Sequence, residues 1–354
     1  MISLADAIRA RAREAGFEFA GVAPACPAPG AERLREWLAA GMHGTMSWME
    51  DPLGHRSDPR LALPWARSLV LVAASYFTGE APSPDPAHGA ISRYAWGRDY
   101  HHEVRARLAA LAGAVAALVP GCRMLPFADT SPVLEKGHAE AAGLGWRGKH
   151  TNLLRKQHGS WFFLGGLATD LDLAPDAPAR DHCGTCTRCI DICPTRAIVA
   201  PYVLDARRCI AYLTIENRGP IPVELRPAIG NRIFGCDDCQ EVCPWNKFAV
   251  RTSSAGFQPR AGNLDPFLPA LFALTRGQWN RRFGPTPVRR AHYDGFLRNV
   301  AVALGNWGSC EAAAALATRL DDPSPLVREH VVWGLERCRH QAAAAAAPAR
   351  EECA

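Results

Sequence analysis

The run of apolar and polar positions divides the chain into segments of distinct period. Over residues 3–15, Leu4, Ile8 and Ala12 fall on one helical face with arginines opposite, and Gly16 ends the segment. Residues 17–23 read as a strand broken by Pro24, and a second helix spans 31–40. Ser68 to Phe77 is a continuous apolar run around Val70, Leu71 and Val72, which suits a strand buried on both faces. The Pro-rich piece 81–86 is a surface loop. A long helix is predicted from near Glu103. Its uncharged stretch Leu108–Val119 is too short to cross a bilayer. The short apolar run Cys122–Ala128 then meets Asp129-Thr130-Ser131-Pro132. Ser131 as N-cap with Pro132 at the first helical position predicts a helix start there, leaving Asp129 on the corner. Ser160–Thr169 is a further strand, and 172–181 a Pro- and Asp-bearing linker.

Beyond Trp245 the pattern changes. From Lys247 to Arg298 there are nine Lys/Arg against Asp265 and Asp294. Phe257, Trp279, Phe283, Tyr293 and Phe296 are interleaved with these charges. A charge run is ordinarily a solvated face, and the aromatics raise the case for a nucleic-acid surface. Three short helices are predicted over Phe296–Leu304, Glu311–Leu320 and Pro325–Cys338. The phrases Leu297–Gly305 and Pro325–Leu335 are alike, with a polar start, an Arg, and small and apolar residues ending near Gly. That is the pattern of a HEAT-type repeat. The alanine-rich tail from Gln341 is expected to be disordered beyond its first turn.

Composition adds bounds. The chain has 354 residues, 48% of them hydrophobic and 21% charged, with a formal charge of +5. It is a globular chain with a sizeable core, and its charge is too mild to name a partner. The start Met1-Ile2-Ser3-Leu4-Ala5-Asp6 lacks the basic-then-apolar order of a signal peptide. Gly143-Leu144-Gly145-Trp146-Arg147-Gly148 matches G-x-G-x-x-G, but it follows a helix and not a strand, which fails the context of a dinucleotide loop. Lys149 is followed by His150 where a P-loop needs Ser or Thr. A glycine-rich turn is the default reading.

The cysteines carry more. Eight of the 13 lie between Cys183 and Cys243. Cys183-x2-Cys186-x2-Cys189-x3-Cys193-Pro194 is the bacterial iron–sulfur spacing. The second run, Cys236-x2-Cys239-x3-Cys243-Pro244, has Ile233 at its first position, and Cys209 is the nearby thiol that can replace it. The crossed pattern gives Cys183, Cys186, Cys189 and Cys243 to one 4Fe-4S cluster, and Cys193, Cys209, Cys236 and Cys239 to another. Paired C-x-x-C also builds zinc sites, but two crossed runs with Cys-Pro endings favour clusters. Thiolate-bound clusters imply a reducing compartment, so a cytoplasmic location without membrane attachment is expected. Cys26, Cys122, Cys310, Cys338 and Cys353 lack ligand spacing.

A specific resemblance rests on several phrases together. They are Arg56-Ser57-Asp58-Pro59-Arg60, Ser92-Arg93-Tyr94-Ala95, Gly97-Arg98-Asp99-Tyr100-His101 and Asp129-Thr130-Ser131-Pro132-Val133-Leu134-Glu135-Lys136. They continue in Gly145-Trp146-Arg147-Gly148-Lys149-His150-Thr151, Ala211-Tyr212-Leu213-Thr214-Ile215-Glu216 and the cysteine set. In these the chain resembles the epoxyqueuosine reductases, cobalamin-dependent enzymes that complete queuosine in tRNA. Gly166 departs from the resemblance, since an acidic residue is expected after Leu164-Gly165.

The resemblance implies a tRNA substrate whose wobble nucleoside carries an epoxide, reduced to an alkene with two electrons, two protons and loss of water. Cobalamin would be reduced through the two clusters, with Cys193, Cys209, Cys236 and Cys239 holding the one nearer the cobalt. Asp129 matches the family's proton donor. Acid chemistry near neutral pH would require its pKa to be raised by burial. Arg56, Tyr94, Asp99, Tyr100, Ser131, Lys149, His150, Thr151, Asn152, Tyr212, Thr214, Cys236 and Asp237 are the corrin candidates, with capping and loop packing as their plain alternative. Arg281, Arg282, Arg289, Arg290, Arg298, Asn299 and Arg328 are the candidates for the anticodon stem-loop.

The expected fold is mixed, α+β or α/β, in three parts. These are an α/β cobalamin-binding domain over 1–175, a ferredoxin-like dicluster domain over 176–250, and a basic HEAT-like helical domain over 251–354. A monomer served by an external electron donor is expected. A reductive dehalogenase-like corrinoid enzyme would carry an export signal and no basic helical end, and a pure dicluster carrier would not need the first 175 residues.

Overall fold

A computed structural model gives the fold and describes residues 2–50 and 53–346. The chain divides into two compact units, each assembled from three separate stretches.

The first unit comprises Met1–Gly79, Gly97–Arg207 and Asp237–Gln258. Its centre is a sheet of β1 (Phe19–Pro24), β2 (Ser68–Ser75), β3 (Met124–Phe127) and β4 (Phe162–Thr169), in the order β1-β2-β4-β3. Every pairing is antiparallel, so α+β is the mixed class that describes it. Helices α1 (Leu4–Glu14), α2 (Ala31–Ala39), α3 (Tyr100–Leu118) and α4 (Glu135–Ala141) belong to the same unit. Helix α3 packs on β3 and β4, and α4 packs on β1 and β2. Leu69, Leu71 and Ala73 share a core with Ala139 and Leu144, whereas Gly165 approaches Val104 and Leu108 of α3. Covered on both sides, β2 is buried at every position, which explains its unbroken apolar run.

Two helix starts differ from expectation. Helix α3 begins at Tyr100, because the Asp99 carboxylate accepts the His101 backbone N–H at 3.1 Å and caps it. Helix α4 begins at Glu135, three residues after Pro132, and Ser131 does not cap it. Asp129 takes a left-handed φ of +52° and turns the chain out of β3. Its N–H then donates to Glu135 Oε1 at 2.5 Å, so the corner closes on the first residue of the helix.

The second unit comprises Glu80–Trp96, Arg208–Cys236 and Pro259–Ala354. Helix α5 (Ile210–Ile215) supports α6 (Tyr293–Trp307), which packs with α7 (Cys310–Ala317) and α8 (Pro325–Ala346). The two similar phrases of the sequence meet here. A Cβ on Gly305 would lie 2.7 Å from the Cα of Gly334, so the glycines let α6 and α8 touch backbone to backbone. Trp279, Phe283 and Phe296 are buried in this unit's core with Trp96, Phe234 and Phe272. The aromatic interleaving is therefore an apolar face turned inward, and it does not offer these rings to a nucleic acid. Phe257 is likewise buried. The alanine tract is helical through Ala346, as the high helix propensity of alanine allows. Cys353 lies outside the described residues. Among the described residues, no helix is long and apolar enough to cross a membrane.

Candidate active site and cluster loops

The corner after β3 and the start of α3 bring a set of ionisable side chains together. Tyr100 Oη donates to Asp129 Oδ2 at 2.8 Å, and His101 Nε2 lies 2.9 Å from the same oxygen. His101 Nδ1 lies 2.6 Å from Asp99 Oδ1. The hydrogen bonds to Asp129 and Asp99 push the His101 pKa up to about 9, against the effect of partial burial. The ring is therefore an imidazolium at neutral pH and donates through both nitrogens. Tyr100 is stacked between His101 and Phe163, with centroids 4.2 Å away on each side. Asp129 is not in the dry pocket that acid chemistry would require: its side chain is 53% exposed. The imidazolium of His101 lies against this exposed carboxylate.

Glu135 lies behind the corner. Burial, then the charge of Asp129, pushes its pKa up to about 8. Arg56 is buried, with a face over Trp48, and feels the charges of Glu135 and Asp129; desolvation lowers its pKa. Asp99 caps the helix and holds His101, both through Oδ1. Ser131 is half-buried in the loop, its carbonyl accepting the Val133 N–H at 2.8 Å.

The glycine-rich loop follows α4 as the sequence indicates. Lys136 donates to the Thr151 carbonyl at 3.2 Å and to Asn152 Oδ1 at 3.0 Å, tying helix to loop. Burial of its ammonium, then Arg147, pushes its pKa down to about 8, although the residue keeps exposed area. Thr151 has a φ of +69°. A β-branched residue in that region is strained, and such strain collects at ligand loops. His150 is buried, and its pKa is pushed down to about 4 by burial and then by Lys136. Its Nδ1 accepts the Asn152 N–H at 3.1 Å, so the neutral ring carries its proton on Nε2, where it is buried without a partner. A buried donor awaiting an acceptor, next to a strained turn, fits the acceptor-rich amide fringe of a corrinoid. Lys149 does not face such a ligand. It donates to the carbonyls of Gly184 at 2.7 Å and Cys186 at 2.9 Å, bracing the first cysteine loop.

Both Cys-Pro endings are built alike. The one-turn helices Arg188–Asp191 and Asp238–Glu241 pack together, and Cys193 and Cys243 follow them with N–H groups donating to Ile190 and Gln240. The thiols of the first set are mutual neighbours. Burial, then Cys243, Cys183 and Cys186, pushes the Cys189 pKa up to about 11, and Cys243 is raised by burial and by Cys183 and Cys186. Thiols gathered in this way have the donor chemistry for an iron–sulfur cluster. Of the second set, Cys193 Sγ accepts the Ala197 N–H at 3.2 Å. Cys239 lies close enough to Lys136 to favour its charge. Asp237 is half-buried at the cap of the Asp238–Glu241 turn.

In the second unit Cys209 precedes α5 and Cys236 follows the strand Arg232–Phe234. Tyr94 is half-buried against Phe234, and Tyr212 is buried. Thr214 is fully buried; its hydroxyl donates to the Ile210 carbonyl at 2.7 Å and accepts the Gly235 N–H at 2.9 Å, so its side chain serves the fold and not a corrin. Two stem-loop candidates are also corrected. Arg298 and Asn299 are buried on α6, Arg298 donating to the carbonyls of Leu213, Asn217 and Gly219, and Asn299 to those of Thr214 and Ile233. Neither can reach a phosphate. Arg281 and Arg289 are exposed, Arg290 forms a two-pronged pair with Glu216, Arg282 donates to Gly262, and Arg328 is half-buried over the Asp322 carbonyl.

His101, Glu135 and Lys136 are site residues that the sequence does not single out. Each lies inside a motif already quoted, one residue from a nominated position or a few beyond it, but only the left-handed turn at Asp129 reveals their grouping. At Gly166 a Cβ would meet the Phe127 ring at 2.4 Å, so the acidic side chain expected there has no room in this chain.

A model described as a 4Fe-4S double cluster binding domain matches residues 182–246, and one described as epoxyqueuosine reductase QueG, DUF1730, matches residues 56–130. A chain carrying that module with an ionisable active-site corner is an iron–sulfur oxidoreductase. Epoxyqueuosine reductase of Xanthomonas campestris pv. campestris is 50% identical over 335 residues, covering 93% of this chain and 94% of its own. The crystal structure of epoxyqueuosine reductase with a tRNA-Tyr epoxyqueuosine-modified stem loop superposes with a TM-score of 0.88 at 30% identity, covering 94% of this chain and 89% of that one. The Bacillus subtilis enzyme, solved with its catalytic aspartate loop swung out of the active site, gives 0.86 at 31% identity with the same coverage. The chain belongs to the epoxyqueuosine reductase family.

Proposed function

We propose that the chain reduces epoxyqueuosine to queuosine at the wobble position of a tRNA, with cobalamin and two 4Fe-4S clusters as cofactors and Asp129 delivering a proton to the departing oxygen. The observation that carries the reading is Asp129 itself, held in a left-handed turn by Glu135 with its carboxylate in the grip of Tyr100 and His101. A carboxyl on an exposed corner is open to a large substrate such as a folded RNA loop, and the homologue with this loop swung out supports a corner that can move.

His150, Thr151 and Asn152 would hold part of the corrin with Arg56 nearby, and Cys183, Cys186, Cys189 and Cys243 would hold the cluster further from the cobalt. Cys193, Cys209, Cys236 and Cys239 would hold the nearer one. When bound, cobalamin supplies a strongly reducing, nucleophilic cobalt centre for the epoxide carbon, recharged through the clusters by an external donor. The chain's own residues do the rest. Tyr100 and His101 aim the carboxyl, Lys136 fixes the loop carrying His150, and Lys149 fixes the cysteine loop. Arg281, Arg282, Arg289, Arg290 and Arg328 remain candidates for the stem-loop backbone, with Arg281 and Arg289 the most open of them, in a HEAT-like helical part. The chain's cobalamin-binding, dicluster and tRNA-binding functions divide at about residues 175 and 250, in a cytoplasmic monomer.

Cluster-loaded protein with cobalamin, a strong reductant and epoxyqueuosine-containing tRNA should yield queuosine by nucleoside mass spectrometry. Asp129→Asn should lower kcat by about 10²-fold or more. No product from fully loaded protein sinks the function, and an Asp129→Asn variant at full rate sinks the acid.

A further inference from the structure

We propose that His101, clasped between Asp99 and Asp129, stores the proton that Asp129 hands to the leaving oxygen, with Asp99 setting how firmly it is stored. The inference rests on the epoxide-reducing reading of the site. It starts from a geometric fact: one imidazole touches two carboxylates, Asp99 Oδ1 at 2.6 Å and Asp129 Oδ2 at 2.9 Å.

The two carboxylates have different surroundings. Asp99 caps α3 and is largely buried, its Oδ1 turned to His101. Asp129 is the exposed one. The imidazolium is thus anchored by Nδ1 on the inner carboxylate and aims Nε2–H at the outer one. The other groups facing this centre are Tyr100, stacked on the ring and donating to Asp129, and Glu135 and Arg56 behind the corner. His102 lies beside Asp99, and Arg105 donates to Thr130 Oγ1 at 2.9 Å. The hydrogen bonds of Asp129 and Asp99 keep the ring charged to about pH 9.

The step balances simply. As the epoxide C–O bond breaks, its electron pair goes to oxygen, and that oxygen takes a proton relayed through the Asp129 carboxylate from His101. The proton passes from Nε2 to Oδ2, leaving a neutral imidazole that still donates through Nδ1 to Asp99. Electrons come from the external reductant through the clusters, and solvent reprotonates His101 for the second proton of the reaction. His101 and Asp99 are positioning residues here, since only Asp129 meets the substrate.

Asp99→Asn isolates the idea. Asparagine caps a helix as well as aspartate and can still accept from Nδ1, so the fold is kept and only the inner charge is lost. Conversion of epoxyqueuosine by the holoenzyme should fall above about pH 9 in the native chain. In Asp99→Asn that limb should move down by about 1–2 pH units. The imidazole of His101, followed by NMR in the oxidised holoenzyme and assigned by its loss in His101→Gln, should move by the same amount. A native imidazole titrating near the ordinary histidine value overturns the proposal. So does an imidazole that shifts in Asp99→Asn while the rate limb stays, because His101 would then be structural only. A native holoenzyme that makes no queuosine defeats the functional reading itself, which is a different result from an unmoved limb in an active one.

Discussion

Arg298 lies on α6 with its guanidinium in the protein interior, where it donates to the backbone carbonyls of Leu213, Asn217 and Gly219. Arg281 and Arg289 stand in the same basic stretch with their heads in solvent. The sequence alone does not separate them, because an Arg-Asn pair in a basic run reads the same whether its helix face is covered or open. The separation is physical and testable. Arg298→Ala should cost about 1–3 kcal/mol for each carbonyl left without a donor, and calorimetry should record a large drop in Tm. Arg281→Glu with Arg289→Glu should leave Tm nearly unchanged. It should weaken binding of the tRNA stem-loop and flatten its salt dependence by about one unit of slope for each phosphate no longer neutralised. Equal Tm values for Arg298→Ala and the native chain would contradict the bracing role. Unchanged binding by the double variant would remove these arginines from the RNA interface. The cysteines are the opposite case: the C-x2-C-x2-C-x3-C-P spacing is a local, one-dimensional signal that marks the double-cluster segment without any fold, and the structure makes Cys243 a neighbour of Cys183, Cys186 and Cys189.

Among elements, periodicity finds the helices and strands where their burial is one-sided and loses their edges where side-chain bonds decide. Helix α3 starts at Tyr100 and not near Glu103 because Asp99 caps it, and α4 starts late because the left-handed Asp129 consumes the residues that look like a cap. The likeness of the phrases around Gly305 and Gly334 is visible in the sequence, but its meaning needs the packing. The two glycines face each other where α6 crosses α8, with the Trp333 ring 2.9 Å from where a Gly305 Cβ would stand. Backbone cannot yield as a flexible side chain would. Gly305→Ala is expected to destabilise by about 1–3 kcal/mol, despite the better helix propensity of alanine. Thermal denaturation decides it, and a variant as stable as the native chain or more so would show that the helices separate at little cost.

At the scale of the molecule, both units hide neutral histidines. In the first unit His138 is fully buried and its pKa is pushed down to about 4 by burial, as is that of His150 by burial and Lys136. In the second, His330 is lowered by burial, with its Nε2 accepting the Ile221 N–H at 3.2 Å. An unfolded chain binds a proton at each of these near the ordinary pKa of 6.5, and the folded chain does so only near 4, so stability falls as pH drops through that window. Glu135 works the other way: its folded pKa of about 8 makes the folded chain bind the extra proton between 4.5 and 8. His101 gives its full contribution below 6.5 and loses it only through about 9, so it adds no slope on the acid side. His138→Leu therefore removes one titrating group alone, since the ring makes no hydrogen bond that leucine would lose. The native chain should lose more degrees of Tm between pH 7 and 5 than His138→Leu does. The difference corresponds to at most about 1.4 kcal/mol per pH unit for the one proton removed. Parallel Tm curves would mean that His138 is protonated in the fold or reached by water, and that the acid sensitivity of the first unit lies with His150.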